Sequence, residues 1–483
     1  MNSSVQETWD LKGRSVLLIN PAWNIQVKSI WAKVASCYPS IGLALIAASL
    51  EKYGAEVRIM DLQADPSVYE NISSEKAPDF VGITTTTVMA KSAYAISKRI
   101  RSLWPDTRIV FGGVHPTLAP EEVLRESAAD FVIRGEGEHS VVKLLAGLDK
   151  INVKGLSMLE NDQYWEHPEV DEIKDLDSLP FPSYHLLPMH RYHPPLGGAL
   201  REPSISIFSS RGCPGRCTYC HSSLSKHMRY RSPQNIVDEI ALLQQRFGIK
   251  EIGFYDDTFA SDPARVRTFC SLLEKNRINV TWTCMSRINY ADPETLKVMA
   301  KVGCHMICYG VESANLDVLR NIRKGINLNQ VRPVVEMTQK AGIRTRLSFM
   351  YGNPGETPET MKQTLEFAMS AKPDLVQFNI TTPYPGTEMF KWADTHGYLT
   401  TKDWAQYDFY NVIMKLPTVT AQQIHDFYCY SYKKFYQNPA FLLRQLMYLL
   451  KHPLFCWRMF VTVLKSLRRL LNLSLYYGKT LKH

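Results

Sequence analysis

The feature that most constrains the fold is an alternation of short β-rich runs with amphipathic helical segments, which occurs in two series along the 483 residues. In the first series, the strand-like runs are RSVLLIN (14–20), AEVRIMDL (55–62), DFVGITTT (79–86), RIVFGG (108–113) and DFVIRGEGE (130–138). Alternating β and α segments are typical of a parallel sheet with crossover helices. We therefore predict an N-terminal α/β domain over residues 1–150 with a five-stranded, doubly wound parallel sheet.

The second series has longer helices and covers residues 204–390. Its strand-like runs are SISIFSSRG (204–212), EIGFYDDTF (251–259), VTWTCMSRI (280–288), HMICYGVES (305–313), RTRLSFMYG (344–352) and DLVQFNITT (374–382). Six βα units predict a partial (β/α)6 barrel with its chemistry at the C-terminal ends of the strands. Between the two series, residues 151–203 combine a short β excursion with a proline-rich stretch that blocks helix and central strand, and we interpret them as a connector.

Small and polar residues follow the strands of the first series. They are Thr84, Thr85, Gly112, Gly113, Gly135, Glu136 and Gly137. Ligands of open parallel sheets bind beyond these strand ends, and glycine lets the backbone approach a bulky ligand. Tight strand-to-helix turns also favour glycine, so spacing alone leaves both interpretations open. No GxGxxG motif follows the first strand, which disfavours a dinucleotide.

The stretch RGCPGRCTYC directly follows the first strand of the second series and holds Cys213, Cys217 and Cys220. A [4Fe-4S] cluster takes one outside ligand per iron, normally a thiolate, so three cysteines leave one iron open for a substrate or cofactor. Structural zinc would need a fourth donor, and the adjacent His221 is awkwardly placed to supply it. Unliganded surface thiols are the remaining alternative. We interpret the three cysteines as catalytic ligands of an open iron-sulfur cluster.

The CxxxCxxC motif, with Tyr219 before its last cysteine and six βα units behind it, resembles the radical S-adenosylmethionine (SAM) superfamily over about residues 204–390. In that family the open iron binds SAM, and one electron from the cluster splits SAM into methionine and a 5′-deoxyadenosyl radical. The resemblance implies that Tyr219 lies against the adenine and that Asp256 and Asp257 lie near the methionine amino group. It also implies that Glu312 and Ser313 contact the ribose.

Several of these positions have a structural alternative. Asp256 and Asp257 could instead cap a helix. Gln377 and Asn379 share one face of the last strand, where a ligand contact and a satisfied core network are equally open. Three cations that look like family positions could also be ordinary surface residues, namely Arg287, Arg323 and Lys324.

Four segments of the N-terminal half and the connector extend the resemblance to the cobalamin-binding radical SAM enzymes, which are class B methyltransferase-like. They are PSIGLALIAASLEKYGAEV (39–57), FGGVHPT (111–117), VIRGEGE (132–138) and LPFP (179–182). The resemblance implies a flavodoxin-like domain that binds cobalamin at the strand ends named above. The DxHxxG motif of other cobalamin proteins is absent, because His115 lacks the upstream Asp. We therefore do not expect His115 to bind cobalt.

The mechanism implied by this resemblance is methylation of an unactivated carbon or phosphorus. One SAM methylates cobalamin, and a second supplies the radical that abstracts a substrate hydrogen before methylcobalamin gives up its methyl group. A cyclisation, oxidation or rearrangement with the same cofactors stays open. So does a non-catalytic corrinoid or redox sensor, which is disfavoured because candidate SAM residues accompany the cysteines. The implied partner is a one-electron reductant of the flavodoxin or ferredoxin type.

The C-terminal region, residues 391–483, carries the net charge of +9, because ten Lys or Arg and no Asp or Glu occur from residue 427 onward. Basic residues recur every seven positions at Arg444, Lys451, Arg458 and Lys465, which on a helix forms a cationic stripe beside apolar residues. This pattern suits a helix that lies in a membrane interface. A helical cap on the barrel is the alternative, and nucleic acid is not expected.

These patterns indicate location and substrate class. No apolar run reaches the roughly 18 residues of a membrane span. The scattered remaining cysteines and the polar N-terminus predict a cytoplasmic protein. We expect peripheral contact with the inner face of the membrane through residues 438–475, and therefore a hydrophobic substrate of lipid, isoprenoid, hopanoid or tetrapyrrole-like type.

Overall fold

The computed structural model describes residues 9–22, 36–194, 198–221, 225, 227–451, 453, 457, 460 and 461. These residues divide into two compact units. The first contains the described residues 9–22 and 39–192, and the second contains 36–38 and those from 193 onward. Within the described ranges, no helix is both long enough and apolar enough to cross a membrane.

The first unit is built on a sheet with the strand order β2-β1-β3-β4-β5-β6-β7. Its first five strands are mutually parallel, which confirms the five predicted strands. They are β1 Ser15–Asn20, β2 Glu56–Asp61, β3 Phe80–Thr84, β4 Arg108–Gly112 and β5 Phe131–Ile133. The order 2-1-3-4-5 is that of flavodoxin-like folds, in which ligands bind beyond the strand ends.

A hairpin extends this sheet beyond the predicted strands. Strands β6 (Leu156–Glu160) and β7 (Gln163–Glu166) pair antiparallel, and β6 also pairs antiparallel with β5. Asn161 and Asp162 form the turn with φ values of 49° and 66°, a combination that two-residue hairpins require and that Asn and Asp tolerate. The predicted β excursion is therefore part of the first sheet.

Helices cover the sheet of the first unit. They are α1 Ile41–Lys52, α2 Ala90–Leu103, α3 Val114–Leu118, α4 Pro120–Glu126 and α5 Glu138–Leu145. Leu43, Ala47 and Leu50 of α1 share one buried apolar cluster with Val16 of β1 and Val142 of α5. Burial of these side chains is the main force that fixes α1 and α5 against the sheet.

The second unit contains six parallel strands in sequential order, which confirms the six predicted runs. They are β8 Ser204–Ile207, β11 Glu251–Phe254, β12 Thr281–Ser286, β13 Cys304–Glu312, β14 Arg344–Tyr351 and β15 Leu375–Ile380. Two further short strands, β9 (Ser210–Arg211) and β10 (Arg229–Tyr230), pair antiparallel on either side of the cysteine motif. Because β8 and β15 are the two edges of the sheet, the arrangement is a partial barrel, as predicted.

The helices between these strands start with strong local signals. They are α6 Pro233–Phe247, α7 Pro263–Lys275, α8 Pro293–Lys301, α9 Leu316–Asn321, α10 Leu328–Lys340, α11 Pro358–Ser370 and α12 Glu388–Thr395. Helices α6, α7, α8 and α11 each begin with proline after a capping Ser, Asp or Thr whose side chain accepts a backbone N–H of the first turn. Such caps fix where each helix starts.

The C-terminal region begins with α13 (Ala421–Tyr436) and α14 (Pro439–Lys451). The Tyr432 hydroxyl donates to Phe378 O (3.0 Å) and accepts from Phe378 N (3.1 Å). The Tyr436 hydroxyl makes the same two bonds with Val376, at 2.7 and 3.1 Å. These tyrosines satisfy backbone groups of the edge strand β15 that would otherwise be open to pairing with another chain.

The loop between β14 and α11 contains a fully buried carboxyl group, Glu356. Its Oε2 accepts hydrogen bonds from the backbone N–H groups of Gly352 (2.5 Å) and Asn353 (3.0 Å). Burial outweighs these bonds and raises the pKa of Glu356 to about 8. The folded chain therefore keeps this carboxyl protonated near neutral pH.

This pKa predicts a loss of stability at alkaline pH. Between the ordinary Glu pKa of 4.5 and about 8, the folded state binds a proton that the unfolded state has lost, so the free energy of unfolding falls as pH rises through this window. We expect Glu356→Gln to remove this loss, which is about a few kcal/mol. Thermal unfolding at pH 6 and pH 9 would measure it, with the exposed Glu366→Gln as control. An equal pH effect in both variants would contradict the prediction.

Candidate functional site

The loop that carries the three cysteines is fixed to the second unit by backbone hydrogen bonds. Thr218 N donates to Ile322 O (3.1 Å), and Met389 N donates to Thr218 O (3.0 Å). Cys217 is buried, Cys213 and Cys220 are half-buried, and none of the three is in a disulfide. Within the described ranges, no three His, Cys, Asp or Glu side chains converge on a site for a single metal ion.

Arg287 places a positive charge beside two of these thiols. Its Nη1 lies 4.0 Å from Cys217 Sγ, and its Nη2 donates to the backbone carbonyl of Lys324. A Cβ at Gly215 would lie 2.8 Å from Arg287 Nη1 and 3.3 Å from Cys213 Sγ, so the guanidinium needs glycine at this position. Arg287 is therefore part of the cysteine site, where its charge favours thiolates.

The thiol of Cys213 also responds to its surroundings. Burial raises its pKa, and a hydrogen bond from Gly215 N (3.4 Å) acts in the opposite direction. The negative charge of Asp257 raises the same pKa and acts also on His221. Asp257 therefore lies close to the cysteine loop.

The neighbouring Asp256 does not share this position. It is fully buried and accepts hydrogen bonds from Ser209 N (2.7 Å) and Ser210 Oγ (2.7 Å), while burial raises its pKa. Arg265 reaches the same network through the Ser209 hydroxyl. Helix α7 is capped by Asp262, so the two predicted acids do not act as its cap either. Asp256 ties β11 to the strand β9 before the cysteine loop.

A buried ion pair lies beside Tyr219. Lys324 Nζ donates to Glu312 Oε1 at 2.7 Å, the side chains of both residues are 8% exposed, and Lys324 Nζ is 3.5 Å from the Tyr219 hydroxyl. Glu312 has a φ of 73°, and the pairing of β13 with β14 shifts register between Gly310 and Glu312. Strained backbone of this kind is typical of functional sites. Glu312, Lys324 and Tyr219 thus form one group, in which burial raises the pKa of the phenol.

Gly310 is a site residue that the sequence did not indicate. A Cβ at this position would lie 2.5 Å from Glu312 Oε1 and 2.7 Å from Lys324 Nζ. A side chain here would therefore displace the ion pair from its observed position, which accounts for glycine in the middle of a strand. The only signal in the sequence is the glycine itself, two residues before the acid at the end of β13.

The other predicted residues of this unit lie elsewhere. Ser313 is fully buried, and its hydroxyl lies 3.3 Å from Thr364 Oγ1 on α11, apart from the Glu312 carboxylate. Arg323 forms an exposed ion pair with Glu388. Gln377 donates to Asn379 (3.0 Å), and Asn379 donates to Ser348 Oγ (3.1 Å), so these polar side chains form a network on the inner face of the partial barrel.

The predicted cobalamin residues line the ends of β3, β4 and β5 in the first unit. Thr84 pairs in register with Gly112, and Thr85 N donates to Gly112 O (3.0 Å). At Gly113, where φ is 100°, a Cβ would lie 2.9 Å from Thr84 Oγ1, so glycine is required. At Gly112 a Cβ would meet only one atom, 3.9 Å away. Among the described residues, the edge therefore leaves room beside Gly112, as a ligand at the strand ends would need.

The following segment is tied to its surroundings. Gly135 N donates to Thr117 Oγ1 (3.0 Å), and Glu136 Oε2 accepts from Ile173 N (2.7 Å). A Cβ at Gly137 would lie 3.1 Å from a side-chain carbon of Ile46 in α1. These contacts favour a structural role for Glu136 and close packing at Gly137.

His115 is fully buried in the first unit. Its Nε2 lies 3.0 Å from the Tyr94 hydroxyl of α2 and 3.8 Å from Glu122 Oε1. The imidazole therefore packs into the protein beside α2.

Two protein families match the chain. The B12 binding domain matches residues 27–145, and the radical SAM superfamily matches residues 207–368. An uncharacterized methyltransferase of Pyrococcus horikoshii is 34% identical over 446 residues, which cover 90% of this chain and 95% of that protein. The anaerobic magnesium-protoporphyrin IX monomethyl ester cyclase of Cereibacter sphaeroides is 27% identical over 427 residues, which cover 85% of this chain and 69% of that protein.

The fold agrees with these matches. The radical SAM methyltransferase TsrM of Kitasatospora setae, solved with cobalamin and a [4Fe-4S] cluster, superposes with a TM-score of 0.65 at 20% identity and covers 80% of this chain and 79% of that one. The cofactors of this chain are therefore cobalamin, a [4Fe-4S] cluster and SAM, as its sequence predicts. The three-cysteine loop, the parallel sheets and the relatives together show that the chain belongs to the cobalamin-dependent radical SAM methyltransferase family.

Proposed function

We propose that this enzyme transfers a methyl group to an unactivated carbon of a hydrophobic small molecule. The observation that carries the proposal is the buried Glu312–Lys324 pair beside Tyr219, on the same unit as the cysteine loop. A redox sensor would need the cysteines but not a second buried polar group next to them. When bound, the cofactors supply the methyl group and the radical chemistry.

The residues of the chain then have separate roles. Cys213, Cys217 and Cys220 hold the cluster, and Arg287 and the Gly215 N–H stabilise the negative charge of the thiolates. Glu312 Oε1 is held by Lys324, whereas Oε2 accepts no hydrogen bond within the described part of the chain and is available to hydroxyl groups of a ligand such as SAM. Tyr219, kept neutral by burial, offers a ring face for an adenine.

The inner face of the partial barrel supports an apolar substrate. By strand alternation, Phe208 after β8 and Tyr255 after β11 project to this face, where they are 40% and 39% exposed. Exposed aromatic rings in a concave site are typical of binding pockets for apolar molecules. We therefore keep the lipid, isoprenoid, hopanoid or tetrapyrrole-like class as the proposed substrate.

A second function uses the same cofactors without net methyl transfer. A relative named as a cyclase, 27% identical over 427 residues, favours this alternative. The residues described above bind cofactors in either reaction, so they do not separate the two.

Transfer of an isotope label distinguishes methyl transfer from the cyclase-like alternative. We expect anaerobic incubation of reconstituted enzyme with deuterated-methyl SAM and an extract of host cells to give a labelled product together with 5′-deoxyadenosine, both detected by mass spectrometry. Cys217→Ala removes one thiolate ligand and should abolish both, whereas Cys429→Ala, on the exposed side of α13, should abolish neither. Formation of 5′-deoxyadenosine by Cys217→Ala would contradict the cluster assignment. With the unaltered enzyme, 5′-deoxyadenosine without label would favour the cyclase-like alternative.

The ion pair predicts a defect in SAM binding. Lys324→Met leaves the buried Glu312 carboxylate uncompensated, which destabilises a protein by about 3–5 kcal/mol. We expect lower thermal stability and a weakened SAM-induced change in the EPR spectrum of the reduced cluster, with partial rescue by Lys324→Arg. Lys340→Met at the exposed end of α10 is the control. An unaltered EPR response in Lys324→Met would remove this pair from the SAM site.

We propose membrane-surface contact through α14, on a basis different from the predicted cationic stripe. Arg444 donates to Lys372 O (2.7 Å) and lies on the packed side of the helix, while Arg458 and Lys465 lie outside the described residues. The opposite side exposes five apolar residues to between 45% and 73%, namely Leu442, Leu443, Leu446, Met447 and Leu450. An apolar face of this size suits an interface between water and lipid.

Sedimentation with liposomes tests this contact. We expect the full chain to sediment with vesicles that contain an anionic phospholipid, and the double variant Leu446→Glu, Leu450→Glu to remain in the supernatant. Val170→Glu, at an exposed apolar position of the first unit, should sediment like the unaltered chain. Equal recovery of the full chain and the double variant in the supernatant would contradict the proposal.

A further inference from the structure

Arg346 carries a positive charge into the partial barrel. On β14 the neighbouring Leu347 and Phe349 are fully buried, so alternation directs Arg346 and Ser348 to the inner face. Arg346 pairs in register with Cys308 of β13, and its Nε donates to Cys308 Sγ (3.2 Å). A thiol is a weak acceptor, so this contact does little to satisfy a guanidinium.

The guanidinium has no carboxylate partner in the part of the chain that the structure describes. Its only hydrogen bond there is the one to Cys308, which leaves the two Nη groups without a protein acceptor. Arg344, two residues earlier, differs because it lies 3.9 Å from Asp374 and donates to Gln445. A half-buried charge without a counterion is costly, and such charges are normally paired.

Glu251, whose charge acts on Tyr38, already has hydrogen-bond partners. Glu251 on β11 accepts hydrogen bonds from Leu200 N (2.8 Å), Thr281 Oγ1 (2.7 Å) and Arg201 N (2.9 Å). His305 Nε2 lies 3.0 Å from its other oxygen. Glu251 therefore cannot turn toward Arg346 without losing these partners.

Two phenol groups lie beside the guanidinium. The rings of Tyr38 and Tyr255 have centroids 5.3 Å apart in an edge-to-face arrangement. Burial raises the pKa of both phenols, and the positive charge of Arg346 acts on both in the opposite direction, which places it near each. Both hydroxyls stay protonated at neutral pH and can donate hydrogen bonds.

This group is within reach of the cysteine site. Strand register aligns Ser348 with Gly310, and Tyr309 with Ser286, so Arg287 lies level with Gly310. Arg346 is one inner-facing position below that level, roughly 7 Å along the strand. A substrate of ordinary size can therefore contact Arg346 while its reacting carbon lies at the level of the cluster site.

We propose that Arg346 binds an oxyanion of the substrate, either a carboxylate or a phosphate, with Tyr38 and Tyr255 beside it. A guanidinium binds both groups through two parallel N–H···O bonds, and the neutral phenols add donors. Phe208 and the ring of Tyr255 then contact the apolar body, so the substrate is an amphipathic acid. The inference rests on the proposed methyl transfer only in taking the bound anion to be the methylated substrate. The anion site itself can be tested by binding alone.

The binding test uses a fluorescent acid and its uncharged analogue, pyrenebutyrate and pyrenebutanol, with reconstituted holoenzyme. We expect the unaltered enzyme to bind the acid about tenfold to a hundredfold more tightly than the alcohol, in line with a hydrogen bond to a charged group. Arg346→Met should remove this preference, Arg346→Lys should retain part of it, and Arg332→Met on the exposed side of α10 should leave it unchanged. Equal binding of both probes by the unaltered enzyme, or of neither, would overturn the assignment.

The labelling experiment gives a second, separate answer. Labelled product from deuterated-methyl SAM is applied to an anion-exchange resin before and after phosphatase treatment. A labelled product that is still retained after phosphatase treatment carries a carboxylate. A labelled product that is no longer retained carried a phosphate. Either result supports the site. Label confined to unretained neutral compounds would overturn the role of Arg346 while methyl transfer stands. If 5′-deoxyadenosine forms without label, methyl transfer fails and the comparison of the two probes decides on Arg346 alone.

Discussion

The ion pair between Glu312 and Lys324 is the interaction on which the site of the second unit depends. Both side chains are buried, so removal of either leaves an uncompensated charge. The pair links the end of β13 to the segment after α9, and the backbone carbonyl of Lys324 in turn receives Arg287. Arg287 in turn lies beside Cys217. One buried contact therefore positions the end of β13, the segment that carries Lys324, and the positive charge beside the cysteines. The left-handed backbone at Glu312 and the missing side chain at Gly310 accompany this contact.

The inner face of the partial barrel has an uneven charge balance. Of the described cations Arg287, Lys324 and Arg346, only Lys324 pairs with a buried acid. Arg287 lies next to thiols that become anionic when they bind iron. By the same reasoning Arg346 has room for an anion that the described part of the chain does not supply. The protein thus contributes fixed positive charge at two levels of the barrel, with exposed aromatic rings at the level of the lower one.

Eleven parallel strands were predictable from the sequence because each is a short apolar run separated from the next by helical or turn segments. The spacing of the three cysteines predicts a cluster site, and a partner for Glu312 was to be expected because an acid at the end of a buried strand needs one. Side-chain direction was not predictable. Asp256 and Asp257 are adjacent but end in different surroundings, and Ser313 points to Thr364 while the adjacent Glu312 pairs with Lys324. The hairpin β6–β7 joins the first sheet through pairing that no local pattern encodes.

The two helices of the C-terminal region differ in what they do, although their sequence pattern is similar. Helix α13 covers an edge strand, and helix α14 exposes an apolar face. The hydroxyls of Tyr432 and Tyr436 bond both the N–H and the C=O of alternate residues in β15, so α13 completes the edge of the sheet. Its removal would leave four backbone groups of an edge strand unsatisfied and open to association. The apolar face of α14 makes no such contribution, because its side chains point away from the barrel. A membrane role for this region can therefore be separated from its structural role only by substitutions on α14, since a truncation before Tyr432 would damage the barrel as well.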